Sequence, residues 1–293
     1  MRKIVLEIQK LTKYYGNVLA VKDLSLTLKE GEIFGFIGPN GAGKSTTIRA
    51  IMNLIHKTEG TILFDGKILK KDDVLLKEQI GYLPSEVYLY EDMTVGEILD
   101  YHMSFYKKDL KKRREDLVDR LKLDESRKIE DLSLGNLKKL GIVLAFMHEP
   151  KLLIFDEPTS GLDPMMQQVF YELLEEEKEK GTTIFYSTHI LSEISKVCDR
   201  VGFIKDGTLL KIETIEEMKR KNLTFVTVES KDVKKIVHDL KLDMLEQSDH
   251  MIKFKNACSA STDDLIQVLS KYHIDKLLIE EATLEDMFLH YYM

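Results

Sequence analysis

A glycine-rich stretch, GPNGAGKS, runs from Gly38 to Ser45 and carries the clearest chemistry in the sequence. It follows a strand-like apolar run, precedes a helix-like run and matches the pattern G-x-x-x-x-G-K-[ST]. Gly41 and Gly43 let the backbone curl so that its N–H groups face an anion, and the helix N-terminus adds partial positive charge. Lys44 can then reach the β- and γ-phosphates of a nucleotide, and Ser45 can offer a hydroxyl to Mg²⁺. The sequence therefore predicts a phosphate-binding loop.

A second stretch, LLIFDE, is an apolar strand that ends in two acids, Asp156 and Glu157. A buried carboxylate is costly without a partner, and a bound Mg²⁺ would provide one. We expect Asp156 to bind the metal through water and Glu157 to polarise the attacking water. Two acids after an apolar run are common by themselves, so this prediction depends on the phosphate loop.

Three further motifs complete the set: Tyr15 stands just before Gly16, ahead of the phosphate loop, and SGLD at Ser160–Asp163 and STH at Ser187–His189 follow the two acids. With these motifs, the chain resembles the nucleotide-binding subunit of an ABC transporter over roughly residues 1–220. The resemblance implies that His189 senses the γ-phosphate and that Tyr15 stacks on adenine, with Tyr14 as the alternative.

The same resemblance implies ATP and Mg²⁺ as the bound groups and assigns the residues that hold them. The catalytic residues are Glu157, His189 and Lys44, and the metal-binding residues are Ser45 and Asp156. The nucleotide-binding residues are Tyr15, Gly38, Pro39, Asn40, Gly41, Ala42, Gly43, Lys44, Ser45, Thr46, Ser133, Gly135 and Asp163.

The segment LSLGN at Leu132–Asn136 takes the place of the family signature LSGGQ. In the family this loop caps a helix N-terminus that is aimed at the ATP held by the other subunit. Ser133 and Gly135 are kept, so a hydroxyl, an N–H group and the helix dipole can still serve a phosphate. Leu134 removes the freedom to adopt positive φ at one position. We predict a working variant; the alternative is an ordinary loop that enters a helix.

A second departure from the family lies in IGYLPSEVYLY, where Ser85 stands in the place of the family's glutamine. A serine does not reach as far, so the usual contact with Mg²⁺ and water is in doubt. Two interpretations of the next residue, Glu86, stay open: it reaches the site through a water, or it is a solvated loop charge. The family meets its membrane partner through the following segment, and Tyr88, Tyr90 and Met93 are the predicted contacts.

The composition of the chain indicates a soluble globular protein. The 293 residues are 43% hydrophobic and 32% charged, and the formal net charge of -7 argues mildly against general nucleic-acid binding. Cys198 and Cys258 are interpreted as reduced cytosolic thiols. Neither a signal peptide nor an apolar run of the ~18–20 residues that cross a bilayer is evident.

The order of predicted elements indicates an α/β fold of the P-loop NTPase type found in ABC proteins. Strand-like runs, separated by the turns YYGN and KEGE, alternate with helices and predict a mainly parallel core sheet, together with an antiparallel β subdomain and a helical subdomain at about residues 86–150. A hairpin turn is expected at Asp65-Gly66, and a capping box at Thr94 with Glu97. The predicted core strands include the runs at 33–38, 152–155, 182–187 and 200–204, and two more strands are expected at 4–8 and 24–28.

The pattern changes near residue 220, and residues 221–293 are predicted to form a small α+β domain. Strands are expected at 224–230, 251–254 and 276–280, with helical stripes from Val233 and Leu265, and a last short helix at 283–286. The tail resembles that of a subgroup of bacterial ATPases linked to drug, antibiotic or peptide export. Two roles stay open for it: regulation of the ATPase, or pairing of two chains.

Together these features predict an ATPase that powers transport, in the direction of export, through a separate membrane permease. It would act as a homodimer or with a paralogous ATPase, peripheral on the cytoplasmic face of the membrane, with no nucleic acid as partner. The rival interpretation is a soluble ABC ATPase acting on the ribosome or on DNA, but such chains usually carry two cassettes or a long coiled coil. A catalytically silent subunit would suit a chain that lacks Glu157 or His189, and both are present.

Overall fold

The computed structural model of the chain describes residues 2–70, 72–220, 224–240, 243–256 and 262–281. The chain is divided into two compact units, Met1–Ile215 and Glu216–Met293. The division lies slightly before the boundary near 220 that the sequence predicts, because helix α8 (Ile215–Arg220) begins there.

The first unit contains ten of the described strands. They are β1 (Ile4–Tyr15), β2 (Val18–Lys29), β3 (Ile33–Ile37), β4 (Glu59–Phe64), β5 (Lys67–Ile68), β6 (Ile80–Leu83), β7 (Leu152–Asp156), β8 (Thr183–Thr188), β9 (Arg200–Lys205) and β10 (Thr208–Thr214). Its helices before α8 are α1 (Lys44–Ile51), α2 (Val74–Lys77), α3 (Val95–Met103), α4 (Lys111–Arg120), α5 (Leu134–Phe146), α6 (Pro164–Glu179) and α7 (Leu191–Val197).

The core is a six-stranded sheet in the order β10-β9-β3-β8-β7-β6. All of its neighbouring pairs are parallel except β9 with β10. Every residue of β3, β7 and β8 is buried, as expected for strands that are covered on both faces. The loops that follow these three strands leave the same edge of the sheet, and they carry the phosphate loop, Glu157 and His189.

A second, antiparallel sheet has the order β2-β1-β4-β5 and confirms the predicted β subdomain. The expected hairpin joins β4 to β5 through Asp65 (φ 51°) and Gly66 (φ 77°). The strands expected at 4–8 and 24–28 are too short: β1 and β2 each have 12 residues and pair with several register shifts.

The helical segment contains α3, α4 and α5, as predicted. Thr94 begins α3 with a complete capping box, because its hydroxyl accepts from the Glu97 N–H while the Glu97 carboxylate accepts from the Thr94 N–H at 2.7 Å. None of the helices among the described residues is both long enough and apolar enough to span a membrane.

An imidazole cluster packs α3 against the residues that follow α5. The rings of Tyr106 and His148 stack with their centroids 4.7 Å apart, and His102 lies 5.6 Å from His148. Burial lowers the pKa of both histidines to about 4, and His148 adds to the effect on His102. Both imidazoles are therefore neutral near pH 7.

The second unit has the order β-α-β-β-α-β, a split βαβ arrangement. Its elements are β11 (Thr224–Glu229), α9 (Val233–Leu240), β12 (Asp243–Gln247), β13 (Met251–Asn256), α10 (Thr262–Leu269) and β14 (Lys276–Glu281). The sheet order is β12-β13-β11-β14, and all its pairs are antiparallel. Its buried core includes Val226, Val233, Ile236, Phe254 and Leu265.

The sequence predicts three of these four strands and misses β12. That strand reads DMLEQ and occupies a sheet edge, so it lacks a sustained apolar pattern. The last predicted helix, at 283–286, and Cys258 lie outside the described residues.

Candidate active site

The phosphate-loop sequence connects the end of β3 to the start of α1, as predicted. Gly41 (φ 82°) and Gly43 (φ 102°) have left-handed backbones that most side chains disfavour. A Cβ atom at Gly43 would also lie 2.6 Å from the Ala20 carbonyl oxygen. The curled backbone that the motif predicts is therefore present.

Lys44 is buried and lies across this loop. Its Nζ donates to the carbonyl oxygens of Gly38 at 2.8 Å and Pro39 at 3.2 Å, and it is 3.8 Å from Oε1 of Glu157. Burial lowers the pKa of Lys44, and the carboxylates of Glu157 and Asp156 oppose that shift. The ammonium thus joins the loop to Glu157, the residue that follows β7.

Asp156 ends β7 and is only 1% exposed. Burial raises the pKa of Asp156, and a hydrogen bond with Ser45 opposes the rise. Within the part of the chain that the structure describes, Oδ1 of Asp156 has no hydrogen-bond partner. A buried carboxylate oxygen beside a hydroxyl is a donor set that fits Mg²⁺, which takes oxygen ligands.

Glu157 follows directly and has a left-handed backbone with φ 50°, which is uncommon for a side chain of this kind. Its N–H donates to the Ser187 carbonyl oxygen at 3.0 Å, which ties it to β8. One step beyond β8, Nδ1 of His189 lies 3.0 Å from Oε1 of Glu157. The structure therefore brings Lys44, Glu157 and His189 together.

Glu193 is a site residue that sequence reasoning missed. It lies on α7, is 5% exposed, and its carboxylate accepts from the hydroxyls of Tyr186 at 3.1 Å and Thr188 at 2.6 Å and from Thr159. These bonds link the strand before His189 to the loop after Glu157. The available signal was a single acid among the buried positions of α7.

The predicted signature residues lie on a different set of loops. Ser133 is the N-cap of α5, and its Oγ accepts from the Asn136 N–H at 3.3 Å. Leu134, 82% exposed, is the first residue of the helix, and its φ is not positive. A Cβ atom at Gly135 would lie 2.8 Å from the Gly161 carbonyl oxygen, so this glycine permits a close approach.

Asp163 also acts as a helix cap, since its Oδ1 accepts from the Met166 N–H at the start of α6 at 3.0 Å. Tyr15 ends β1 with a side chain that is 45% exposed, and Nζ of Lys13 lies 4.7 Å from its ring centroid. Tyr14 is 43% exposed, so exposure does not choose between the two aromatics. Their contacts with a nucleotide stay predictions.

The replacement for the family's glutamine also has a defined environment. Glu86 is exposed, and its carboxylate accepts a hydrogen bond from the hydroxyl of Tyr88, itself 83% exposed. This contact is the one expected for a solvated loop charge. The alternative, a reach to the site through water, stays a prediction.

A curled glycine loop between a central strand and a helix, beside a strand that ends in acids, defines a P-loop nucleoside-triphosphatase. Comparison with known proteins gives the family. The ABC transporter family matches residues 21–160. The chain is 33% identical to the ABC transporter ATP-binding protein YtrB of Bacillus subtilis over 83% of this chain and 84% of that protein. This chain belongs to the ATP-binding proteins of ABC transporters.

Two further relatives carry names that refer to antibiotics. The linearmycin resistance ATP-binding protein LnrL of Bacillus subtilis is 38% identical over 72% of this chain and 69% of that protein. The bacitracin transport ATP-binding protein BcrA of Bacillus licheniformis is 35% identical over 80% of this chain and 77% of that protein.

Solved structures agree with the family. An ATP-binding subunit of an ABC transporter matches with a TM-score of 0.70 and 32% identity, over 74% of this chain and 92% of that one. The dimeric bacterial ABC transporter cassette MJ0796 matches with a TM-score of 0.65 and 26% identity, over 72% of this chain and 98% of that one. The predicted fold and family are confirmed: the chain is an ATPase subunit that binds ATP and works in transport.

Proposed function

We propose that this subunit drives export through a separate membrane-embedded permease and is held peripherally on the inner face of the membrane. The linearmycin and bacitracin names of two relatives support export. The permease is inferred from the family, whose ATP-binding proteins work with transmembrane subunits. The exported compound would be recognised by the permease.

The chemistry is assigned to residues that meet at the edge of the core sheet. The phosphate loop and Lys44 hold the β- and γ-phosphates of ATP, and Ser45 and Asp156 hold Mg²⁺, which neutralises phosphate charge when bound. Glu157 polarises the attacking water, and His189 senses the γ-phosphate. One observation carries this assignment: Oε1 of Glu157 lies 3.0 Å from Nδ1 of His189 and 3.8 Å from Nζ of Lys44.

Hydrolysis is proposed to require two ATPase chains, either identical or paralogous. Each ATP would lie between the phosphate loop of one chain and Ser133 and Gly135 of the other. Three features support this arrangement: the dimeric cassette among the similar structures, the helix N-terminus behind Ser133, and the close contact of Gly135 with the loop that leads to Asp163.

The proposed permease contact is an aromatic surface on the helical segment, made of Tyr88, Tyr90, Tyr101 and Phe105. These side chains are 83%, 61%, 48% and 57% exposed. The Tyr101 ring contacts both Tyr90 and Phe105, with centroids 6.3 Å and 4.9 Å apart. Contiguous exposed aromatic surface is typical of an interaction site. Met93, also expected from the sequence, is half-buried nearby in the chain.

The test compares three variants. Glu157→Gln keeps the size of the side chain but removes the carboxylate, so ATP affinity should hold while turnover falls about a hundredfold or more. Lys44→Ala should instead weaken ATP binding, because it removes a cation from the phosphates. Glu179→Gln, an exposed acid at the end of α6, is the matched control.

ATP binding is measured by equilibrium titration and turnover by phosphate release. Near-normal hydrolysis by Glu157→Gln would exclude Glu157 as the base. Export is tested separately, by purifying the chain from membranes with its bound permease and measuring ATPase stimulation by candidate compounds.

A further inference from the structure

Lys138 is a buried lysine on α5 that no predicted motif role includes. Its side chain is 5% exposed. Its Nζ donates to three main-chain carbonyl oxygens: Pro84 at 3.2 Å, Ser85 at 2.7 Å and Glu157 at 3.3 Å. An ammonium group has three N–H donors, so these bonds use all of them.

The three carbonyl groups belong to two separate loops. Pro84 and Ser85 follow β6, and Glu157 follows β7, its parallel neighbour. A single charged group on a third element, α5, therefore fixes the spacing between the two loops. Burying an ammonium group is costly unless it is hydrogen-bonded, and an apolar side chain would have served if only packing were needed.

The loop after β6 and the loop after β7 each contain a residue whose position depends on a hydrogen bond from a fixed group. Ser85 stands where the family has a glutamine, and its short side chain reaches less far into the site. Glu157 has φ 50°, a backbone conformation that persists only when its surroundings hold it. The bond from Lys138 to the Glu157 carbonyl, together with the bond from the Glu157 N–H to Ser187, holds both sides of this residue.

We infer that Lys138 is a positioning residue for hydrolysis: it holds the main chain of Glu157 in its left-handed conformation and ties it to the Ser85 loop. This inference rests on the proposed role of Glu157 as the base. Among the described residues, the three hydrogen bonds of the Lys138 ammonium all go to main-chain oxygens, so we place its effect on Glu157 and not on the nucleotide. A displacement of about 1 Å in a catalytic group can lower a rate as much as a hundredfold.

The experiment replaces Lys138 in the full chain. Lys138→Met gives an unbranched side chain that is one atom shorter and has no donor, and Lys138→Gln has the same reach with two donors. We expect kcat to fall roughly tenfold to a hundredfold in Lys138→Met, and by less in Lys138→Gln. KM and the equilibrium affinity for ATP should stay within about twofold of the parent in both variants.

The matched control is Lys139→Met, which removes the neighbouring lysine of the same helix and should leave kcat unchanged. Thermal unfolding with circular dichroism checks each fold, and Lys138→Gln carries the comparison if Lys138→Met does not fold. A kcat equal to that of Lys139→Met would overturn the inference. A parallel loss of ATP affinity and kcat would also overturn it, because it would indicate general damage to the site.

A double variant separates this inference from the proposed function. In Glu157→Gln, Lys138→Gln should cause no further loss of turnover, because the group that it positions has already been disabled. An additive loss would place the effect of Lys138 elsewhere and overturn the inference. If Glu157→Gln alone keeps its turnover, the proposed function fails instead.

Discussion

At the scale of single residues, the site depends on side chains that serve more than one partner. Lys44 joins the phosphate loop to Glu157, and Glu157 also meets His189. Ser133 also serves two roles. Its Oγ accepts a hydrogen bond that caps α5, and the same hydroxyl group can donate its hydrogen to a phosphate oxygen. A substitution at Ser133 therefore has two separable effects.

For Ser133→Ala we expect both effects. Loss of the cap should lower the free energy of unfolding by about 0.5–2 kcal/mol. Loss of the proposed bond to the partner's ATP should weaken ATP-driven dimerisation by roughly 1.5–3 kcal/mol, since that bond is made to a charged oxygen. ATP binding to the monomer should stay nearly intact, because the phosphate loop is unchanged.

The measurements are thermal unfolding, ATP titration and size-exclusion chromatography in a Glu157→Gln background, which slows hydrolysis. Leu134→Gly is the matched control, since Leu134 is exposed and its φ is not positive. Unchanged dimerisation in Ser133→Ala, with only the expected loss of stability, would mean that LSLGN is an ordinary helix entry.

Sequence reasoning finds the residues whose roles are local. The phosphate loop and the acids after β7 are recognisable because their neighbours in the chain set their conformation. Lys138 is different, since it bonds carbonyl groups of two loops that are distant in sequence, and Glu193 likewise joins the nearby Tyr186 and Thr188 to the distant Thr159. Only the assembled sheet brings those partners together.

At the scale of elements, the helical segment is held partly by neutral histidines. His102 lies on α3, and His148 follows α5 and contacts the Ile80 carbonyl through Nε2 at 3.3 Å. Burial lowers the pKa of both to about 4, below the ordinary value of 6.5. The unfolded chain therefore takes up protons at these residues at a higher pH than the folded chain does.

We expect the contribution of these histidines to the free energy of unfolding to be greatest above about pH 6.5 and to decrease as the pH falls towards 4. The expected loss between pH 7 and 4.5 is about 2 kcal/mol for each histidine. His148→Phe, which keeps an aromatic ring against Tyr106, should make this pH dependence shallower. Chemical denaturation followed by circular dichroism at several pH values measures it.

The control for this prediction is His56→Phe, because His56 is exposed. An equal slope for the parent and His148→Phe would show that unfolding does not change the pKa of His148.

Element boundaries show where local pattern fails. The apolar core of β1 predicts a strand, but pairing with β2 and β4 extends it through polar residues to Tyr15. The sequence does not predict β12 for a related reason: hydrogen bonding to its neighbour β13, more than its own side chains, makes this edge segment a strand. Fully buried strands such as β7 and β8 are predicted well because burial on both faces requires apolar residues.

At the scale of the whole molecule, the chain consists of two units, and every predicted nucleotide motif is in the first. The second has its own buried core and a complete four-stranded sheet. Each unit thus has the features of an independent domain.

A chain that ends at Asn222 should therefore fold and bind ATP with an affinity within about threefold of the full chain, because no predicted ATP contact is lost. Circular dichroism and ATP titration measure these properties, and the same protein carrying Lys44→Ala is the control for specific binding. Aggregation, or loss of ATP binding, would mean that the two units depend on each other.

Helix α5 carries both Ser133 at its start and Lys138, five residues on, about 7.5 Å along the axis. A helical segment of that length is stiff, so the two residues move as one body. In the proposed dimer, the end of α5 that meets one ATP is rigidly joined to the ammonium that supports the base facing the other. Hydrolysis at the two sites would then be coupled. In a chain whose partner has no ATP bound, the proposed base would not be aligned, and hydrolysis would be slow.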